Sequence, residues 1–362
     1  MKKILVMAGG TGGHVFPGIA VAHELSAQQE FEVLWLGTAE RMEARLVPQH
    51  GFKIAFIKVH GIRRNGLLRK LGAPFMIARA IWEALGIIRK FKPDVVLGLG
   101  GYASGPGGIA ARMLGIPLVL HEQNAAPGFT NRVLSKIATR VLLGFPGALS
   151  GAKVSYVGNP VRSDVMALRK KLPHDFNGEN LRISVVGGSL GAQVLNEIVP
   201  QAVAFAQKQG AKLEIMHQTG RGNSEAVKQV YADLGCTNVK VSDFIDDMAS
   251  LYENTHIIIC RAGAGTVAEV TASCVPAIFV PLPSAVDDHQ TKNAKVLADQ
   301  KAAILLPQKE LTAQVLSQKL CQFATDRTLL ANISAEIAKM PCLDAAHEVA
   351  NVCRDLAKGS RE

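Results

Sequence analysis

The stretch ILVMAGGTGGHVFPGIAVAHEL, Ile4–Leu25, decides how the rest of the chain is read. Ile4 to Ala8 are a continuous apolar run of the kind buried on both faces of a parallel sheet. Val15 to Leu25 carry apolar residues at helical spacing, so Gly9 to His14 form the turn from strand to helix. Glycines in such a turn let the backbone approach a phosphate, and the free N–H groups and positive dipole end of the helix attract it. The dinucleotide fingerprint G-x-G-x-x-G nevertheless fails. After Gly10 and Gly12 the third position is Val15, and the next strand, FEVLWLGTAE, ends in Gly37 and Thr38 without the acidic ribose ligand. A nicotinamide cofactor is therefore not expected. Taken alone, the loop reads equally as an anion site or as a glycine turn that packs helix on strand.

With 362 residues the chain is long enough for two α/β domains, and its 48% hydrophobic content with few aromatics suits buried parallel sheets covered by helices. Its six cysteines, Cys236, Cys260, Cys274, Cys321, Cys342 and Cys353, all lie in the second half and include no C-x-x-C pair. That spacing fits neither a disulfide framework nor a zinc site and points to a reducing cytosol. The opening MKKILVMA imitates a signal peptide, but the apolar run stops at Gly9-Gly10 and is a first strand. No later run reaches the roughly 18 apolar residues a membrane-spanning helix needs.

The net charge of +10 is unevenly spread. Between His60 and Lys92 stand Arg63, Arg64, Arg69, Lys70, Arg79, Arg89, Lys90 and Lys92 against one acid, Glu83. The large apolar residues Leu67, Leu68, Leu71, Phe75, Met76, Ile81 and Trp82 are interleaved with them. An anionic bilayer surface favours this mixture, through coulombic attraction and shallow burial of side chains. An ordinary core helix with solvated cations would read similarly. Nucleic acid is not expected, since few aromatics are available for stacking and no DNA- or RNA-binding motif appears.

Strand-like runs alternate with helical ones throughout: KILVMA, EVLWLG, IAFIKV, DVVLGLG, PLVLHE and RVLLGF, then RISVVGG, KLEIMHQ, VKVSDF, HIIICRAG, PAIFVPL and AAILLP. This alternation predicts α/β architecture with doubly wound parallel sheets. ILVMAGGTGGH is echoed half a chain later by ISVVGGSLGA, which implies two Rossmann-like domains, each with its own anion-facing loop. The link is expected near Ser155 to Val165, giving domains at 1–160 and 161–340. A last helix, at about 341–362, either stays with the second domain or packs back on the first. Ligands are expected at the carboxyl ends of both sheets, in a cleft between the domains.

Three groups in the second half suit a nucleotide sugar. GGSLGA, Gly187 to Ala192, offers the Ser189 hydroxyl beside free N–H groups. CRAGAGTVAEV places Arg261 for a diphosphate and Glu269 for the two hydroxyls of a ribose. AVDDHQTKNA supplies Asp288, His289, Gln290 and Asn293 to sugar hydroxyls, although an acid there also suits a helix N-cap. In the first half, GLGGYASGPGGIAA is a second glycine turn and LHEQNAAPG ends another strand, so the topology brings Ser104, Glu122 and Asn124 toward the His14 loop. His14 has a side chain suited to taking a proton near neutrality, and would equally suit a bond to a neighbouring carbonyl.

GGTGGHVFPGIAVA, GLGGYASGPGG, LHEQNAAPG, VGNPVR, GGSLGA, CRAGAGTVAE and DDHQTKNA, in this order and spacing, closely resemble the glycosyltransferase family 28 N-acetylglucosaminyltransferases of bacterial cell-wall synthesis. The similarity runs from about Lys3 to about Arg354. It implies a GT-B fold and inverting transfer of N-acetylglucosamine (GlcNAc) from UDP-GlcNAc to the C4 hydroxyl of a muramyl-pentapeptide on undecaprenyl diphosphate (lipid I), giving lipid II. It also implies a peripheral enzyme on the cytoplasmic face of the cell membrane, in contact with an anionic membrane surface through Arg63, Arg64, Arg69, Lys70, Phe75 and Trp82, with other cell-wall synthesis proteins as partners. The resemblance assigns the donor to Ser189, Arg162, Ile245, Arg261, Ala264, Gly265, Thr266, Glu269 and Gln290, with Thr11, Gly12, Gly13 and Asn124 from the first domain. It assigns the acceptor to Gly10, His14, Gly101, Tyr102, Ser104 and Asn124. A glutamine pair of some members is here His289-Gln290, which leaves the role of His289 open.

In such a reaction the acceptor hydroxyl attacks the anomeric carbon as UDP leaves, so a base and a stabiliser of the leaving charge are needed. His14 and Glu122 are the two candidates for the base. Helix dipoles with Arg162 and Arg261 meet the second need, and no D-x-D element with a metal role appears, so a reaction without metal or cofactor is expected. Two rivals keep the second-half motifs: a GT-B nucleotide-sugar enzyme with a soluble acceptor, and a non-catalytic nucleotide-sugar binding protein.

Overall fold

The computed structural model of the chain describes residues 1–60, 67–188 and 191–359. It divides into two units, one formed by Met1–Val161 with the segment from Leu343 onward, the other by Arg162–Cys342.

In the N-terminal unit the strands are β1 (Lys2–Ala8), β2 (Phe31–Gly37), β3 (Lys53–Phe56), β4 (Val95–Gly100), β5 (Leu118–Glu122), β6 (Arg140–Leu143) and β7 (Val154–Tyr156). They form one parallel sheet in the order β3-β2-β1-β4-β5-β6-β7. β1 is central, and Ile4 to Ala8 are fully buried, which is why this strand is apolar without alternation. Winding reverses between β1 and β4, the switch point at which open α/β sheets bind ligands. The β1–β4 register slips there, Met7 pairing with Gly98 and Ala8 with Gly100, so the ladder ends in an irregular glycine corner. The indole N–H of buried Trp35 donates to the Ala8 carbonyl at 2.8 Å and closes the end of β1.

The C-terminal unit repeats the plan with β8 (Leu181–Val186), β9 (Leu213–Gln218), β10 (Val239–Ser242), β11 (Ile257–Cys260), β12 (Ala277–Phe279) and β13 (Ile304–Leu305). All are parallel, in the order β10-β9-β8-β11-β12-β13, with the switch between β8 and β11. Two doubly wound parallel sheets are thus present, as the strand–helix alternation predicts.

Local details differ from the sequence expectation. β7 lies where the sequence suggests the start of the link; it is short and largely exposed at the sheet edge, so no apolar run marks it. The helix after β1 begins at Gly12 rather than at Val15. The final helix, Ala345–Gly359, buries Val349, Ala350, Cys353 and Ala357 in the N-terminal core with Val15, Ile19 and Leu97. Arg354 pins it by ion pairs to Glu30 at 2.8 Å and Glu24 at 3.6 Å. Among the described residues no helix is long and apolar enough to cross a membrane.

Candidate functional site

In the N-terminal unit two glycine turns close on each other. Thr11, with extended backbone, caps the helix Gly12–Ser26, whose first turn holds Gly12, Gly13 and His14 and no acidic residue. The His14 N–H turns back to the Thr11 carbonyl at 3.1 Å, and the positive dipole end of the helix suits an anion. In the second turn Gly100 and Gly101 have φ of +113° and +92°. A Cβ on Gly101 would overlap the Gly9 carbonyl, and one on Gly100 would stand 2.9 Å from the His14 ring, so both positions require glycine. His14 Nδ1 lies 3.2 Å from the Gly9 carbonyl oxygen. A carbonyl can only accept, so in the neutral ring Nδ1 carries the proton and Nε2 presents the lone pair.

Side chains around these turns divide into those that build the loops and those that face outward. Ser104 is fully buried and donates to the carbonyls of Met7 at 3.0 Å and Gly100 at 2.7 Å, which fastens the second turn to β1. Glu122 is buried too; its carboxylate accepts from the Asn124 N–H (2.9 Å), Asn124 Nδ2 (3.3 Å), the Gly128 N–H (3.0 Å) and Asn131 Nδ2 (3.0 Å). Both of its oxygens therefore shape the loop after β5 and draw Asn124 into it. Tyr102 is exposed, with the Arg41 guanidinium 5.5 Å from its ring centroid. Glu43, which sequence reasoning missed, is buried and accepts from the Gly10 N–H (3.0 Å), the Thr38 N–H (3.1 Å) and the Thr38 hydroxyl (2.7 Å). The acidic residue absent from the end of β2 thus comes from the following helix, but it binds the loop itself.

In the C-terminal unit a cavity of about 750 Å³ opens at the carboxyl ends of β8, β11 and β12. It brings together Gly187, Gly188 and Gly191 of GGSLGA with Arg261, Thr266 and Gln290. Ser189 lies outside the described residues. Gly188 and Gly191 have positive φ, and a Cβ on Gly191 would overlap the Thr219 carbonyl. Gln218 clamps the loop from β9, accepting from the Gly188 N–H at 3.1 Å and donating to its carbonyl at 3.0 Å. Arg261 donates through Nη1 to the carbonyls of Val280 at 3.0 Å and Pro281 at 3.2 Å, which orients the guanidinium along the wall; burial lowers its pKa. Gln290 accepts from the Leu282 N–H at 3.0 Å, and His289 Nδ1 lies 2.8 Å from the Val286 carbonyl. Ala264, Gly265 and Thr266 form the first turn of the helix Ala264–Ser273, and neither this helix nor Gln193–Lys208 has an acid in its first turn.

Arg162, Ile245 and Glu269 are not on that cavity wall and belong to a neighbouring cluster. The Glu269 carboxylate accepts from the Tyr252 hydroxyl at 3.0 Å. Burial raises its pKa, and the charge of Arg162 and the Tyr252 hydrogen bond oppose the rise. Arg162 Nη1 reaches the Asp246 carbonyl at 3.5 Å, beside Ile245. Asp247 is spent as an N-cap, accepting from the Ser250 N–H at 2.8 Å, and among the described residues no cluster of three or more acidic, histidine or cysteine side chains is arranged to hold a metal. Gln193, Ser284 and Gln308 also line the cavity and were not foreseen. Their signal was available, since Gln193 directly follows a glycine loop and Ser284 and Gln308 lie in the segments just beyond β12 and β13, where ligands bind.

Of the basic stretch, Arg63 and Arg64 lie outside the described residues, and Arg69 and Lys70 fall near the start of the helix Leu67–Phe91. Farther along, Phe75 and Trp82 project at 81% and 74% exposure, two turns apart on one face. Arg79, between them, pairs with Glu83 at 3.0 Å.

The glycosyltransferase family 28 N-terminal domain matches residues 4–143, and the C-terminal domain of the same family matches residues 182–349. The chain is 53% identical to a protein of Tolumonas auensis over 98% of this chain and 99% of the relative. It is 54% identical to one of Shewanella amazonensis over 99% and 98%. Both are named UDP-N-acetylglucosamine-N-acetylmuramyl-(pentapeptide) pyrophosphoryl-undecaprenol N-acetylglucosamine transferase. Among solved structures it is similar to MurG of Acinetobacter baumannii, with 42% identity, a TM-score of 0.83 and coverage of 98% of this chain and 100% of that one. A UDP-N-acetylglucosamine 2-epimerase structure from Listeria monocytogenes shares the fold at 14% identity and a TM-score of 0.67, covering 100% of this chain and 97% of that one.

Proposed function

The chain belongs to glycosyltransferase family 28, and on that premise we propose how its residues transfer GlcNAc from UDP-GlcNAc to the lipid-linked muramyl-pentapeptide of peptidoglycan synthesis. The observation that carries the reading is the cavity joining the GGSLGA glycines, Arg261, Thr266 and Gln290 in a chain matched along nearly its whole length by transferases of that name. Its glycine-lined wall carries a guanidinium, a hydroxyl and an amide, the groups a sugar diphosphate needs. Glu269, Arg162 and the Ile245 backbone bind the uridine, the carboxylate taking the ribose hydroxyls. The glycine loop and first turn at Ala264, Gly265 and Thr266 hold the diphosphate with Arg261, Ser189 adds its hydroxyl, and Gln290 meets the sugar. Thr11, Gly12, Gly13 and Asn124 add donor contacts from the first domain.

Gly10, His14, Gly101, Tyr102 and Asn124 supply the acceptor side, where the first glycine loop holds the lipid diphosphate and the buried Ser104 fastens the second turn beneath it. The acceptor O4 forms a bond to the anomeric carbon from the face opposite the leaving phosphate, which inverts that centre. The anomeric C–O bond breaks with its electron pair going to UDP, and His14 Nε2 takes the hydroxyl proton. We favour His14 over Glu122 as the base because its Nδ1 bond to the Gly9 carbonyl sets the neutral tautomer whose Nε2 can take a proton, whereas the buried Glu122 carboxylate shapes the loop after β5. Negative charge on the departing diphosphate is met by N–H groups, two helix ends, Arg261 and Arg162, without a metal in the scheme.

We further propose that the exposed Phe75 and Trp82, among the cations of their helix, seat the enzyme on the cytoplasmic face of an anionic bilayer, where a polyprenyl acceptor resides. The reaction is tested by following radiolabelled GlcNAc from UDP-GlcNAc to a short-chain analogue of the muramyl-pentapeptide lipid in EDTA, for wild type and His14→Ala. Transfer that survives EDTA and collapses in the variant supports the scheme. No transfer by a folded, donor-binding wild type would refute it.

A further inference from the structure

A second cavity, of about 190 Å³, lies in the N-terminal unit next to the loops given to the acceptor. Its floor is apolar, formed by the buried Ile57 and Val59. Its rim carries Arg41, Lys58 and His60 against the carboxylate of Glu40, which is already paired with His60 at 3.7 Å. Arg41 is steadied by the Tyr102 ring, and the Lys58 N–H donates to Glu83 at 2.8 Å, which fixes the backbone carrying its ammonium. Two cations on a partly apolar pocket suit an anionic group at the end of a chain.

The cavity and the first glycine loop share one support. Glu43 holds Thr38, in the cavity wall, through Oε1, and holds the Gly10 N–H through Oε2. Tyr102 follows Gly101 of the second turn directly. An acceptor whose diphosphate rests on the Gly10 loop therefore has this pocket within the span of its peptide, since five extended residues reach about 17 Å. A peptide joined to a muramyl sugar by its amino end carries at least its C-terminal carboxylate.

Resting on the transferase reading above, we infer that this cavity takes a carboxylate of the acceptor's peptide, with Arg41 and Lys58 as specificity-determining residues. The N-terminal unit then recognises three parts of one acceptor: diphosphate, sugar hydroxyl and peptide.

The test compares the pentapeptide acceptor analogue with the same analogue amidated at its carboxyl groups, for wild type, Arg41→Ala, Lys58→Ala and the double variant. Both side chains are exposed, so the variants keep the core intact. In the wild type, amidation raises the acceptor KM about fivefold, the size expected of a solvent-accessible ion pair. In the double variant KM is high with the native acceptor and amidation adds nothing, while kcat and the KM for UDP-GlcNAc stay unchanged. Equal use of both acceptors by the wild type would overturn the inference while leaving the transferase reading intact. An amidation effect that persists undiminished in the double variant would do the same. Absence of transfer to either acceptor by the wild type would overturn the reaction and this inference with it.

Discussion

The imidazole of His14 lies against Gly100, so near that a Cβ on Gly100 would stand 2.9 Å from Nε2. The proposed base and the second glycine turn are therefore one mechanical unit. His14→Ala should lower kcat by roughly 10²- to 10⁴-fold, the contribution of a general base, with UDP-GlcNAc binding by calorimetry unchanged. Gly100→Ala, which displaces the ring and strains a φ of +113°, should lose about tenfold or more in kcat. The double variant should be no worse than His14→Ala. Full kcat in a folded Gly100→Ala would show that the ring position is irrelevant to the reaction.

Glu43 holds the Gly10 loop from a helix 33 residues away in sequence. Glu43→Ala leaves the buried Thr38 N–H and the Gly10 N–H without their acceptor. It should destabilise the N-terminal unit by about 2–4 kcal/mol in urea unfolding, and Glu43→Gln by less. Among variants that fold, the acceptor KM should rise more than the donor KM, since the loop gives the donor only the secondary contacts of Thr11, Gly12 and Gly13. An unchanged urea midpoint for Glu43→Ala would remove the carboxylate from this role.

Burial raises the Glu269 pKa above the ordinary carboxylate value of 4.5. Between that value and its folded pKa the folded chain binds more protons than the unfolded one, so this group's contribution to stability falls as pH rises through the window. Ligand binding runs the other way. A ribose hydroxyl donates to the ionised carboxylate, so uridine affinity should fall as pH drops through the raised pKa. NMR titration with uridine, which has no phosphate to ionise there, measures this. Glu269→Gln should bind weakly at every pH, and a wild-type pH dependence surviving in that variant would assign the titration to another group.

The proposed membrane seating is separable from catalysis. Phe75→Ala with Trp82→Ala should weaken binding to anionic vesicles at any salt, because it removes apolar burial. Changing Arg63, Arg64, Arg69 and Lys70 to glutamine should weaken it most at low salt, where the roughly 10 Å Debye length of 0.1 M salt is lengthened. Vesicle cosedimentation that ignores both sets of changes at low salt would sink the assignment.

The two sheets were legible because β1 carries the unbroken apolar run Ile4–Ala8, β8 sets Leu181, Ile183, Val185 and Val186 around Arg182 and Ser184, and both end in matching glycine loops, a signal local to a few residues. β7 was not, because a three-residue exposed edge strand has no core face to pattern it. The start of the helix at Gly12 was hidden because glycine is a weak helix former and only the Thr11 geometry reveals the cap. At the candidate sites, Arg261 and Gln290 could be named from their places after strands and Thr266 from the family resemblance, and the cavity gathers all three. The roles of Glu43 and Gln218 could not, since each acts on a glycine loop about thirty residues distant in sequence, a pairing only the tertiary fold creates. Spacing likewise could not say which core the last helix completes.

That last helix has a consequence for the order in which the molecule is made. The N-terminal core contains Val349, Ala350, Cys353 and Ala357, so it stays open until the ribosome has finished the whole second unit. At translation speeds of 5–20 residues per second this is a delay on the order of 10–40 s, during which Val15 and Ile19 lack their cover. Chains truncated before Leu343 and released from the ribosome should therefore be cut by protease in the first half and spared in the second, reversing the usual amino-to-carboxyl sequence of domain maturation.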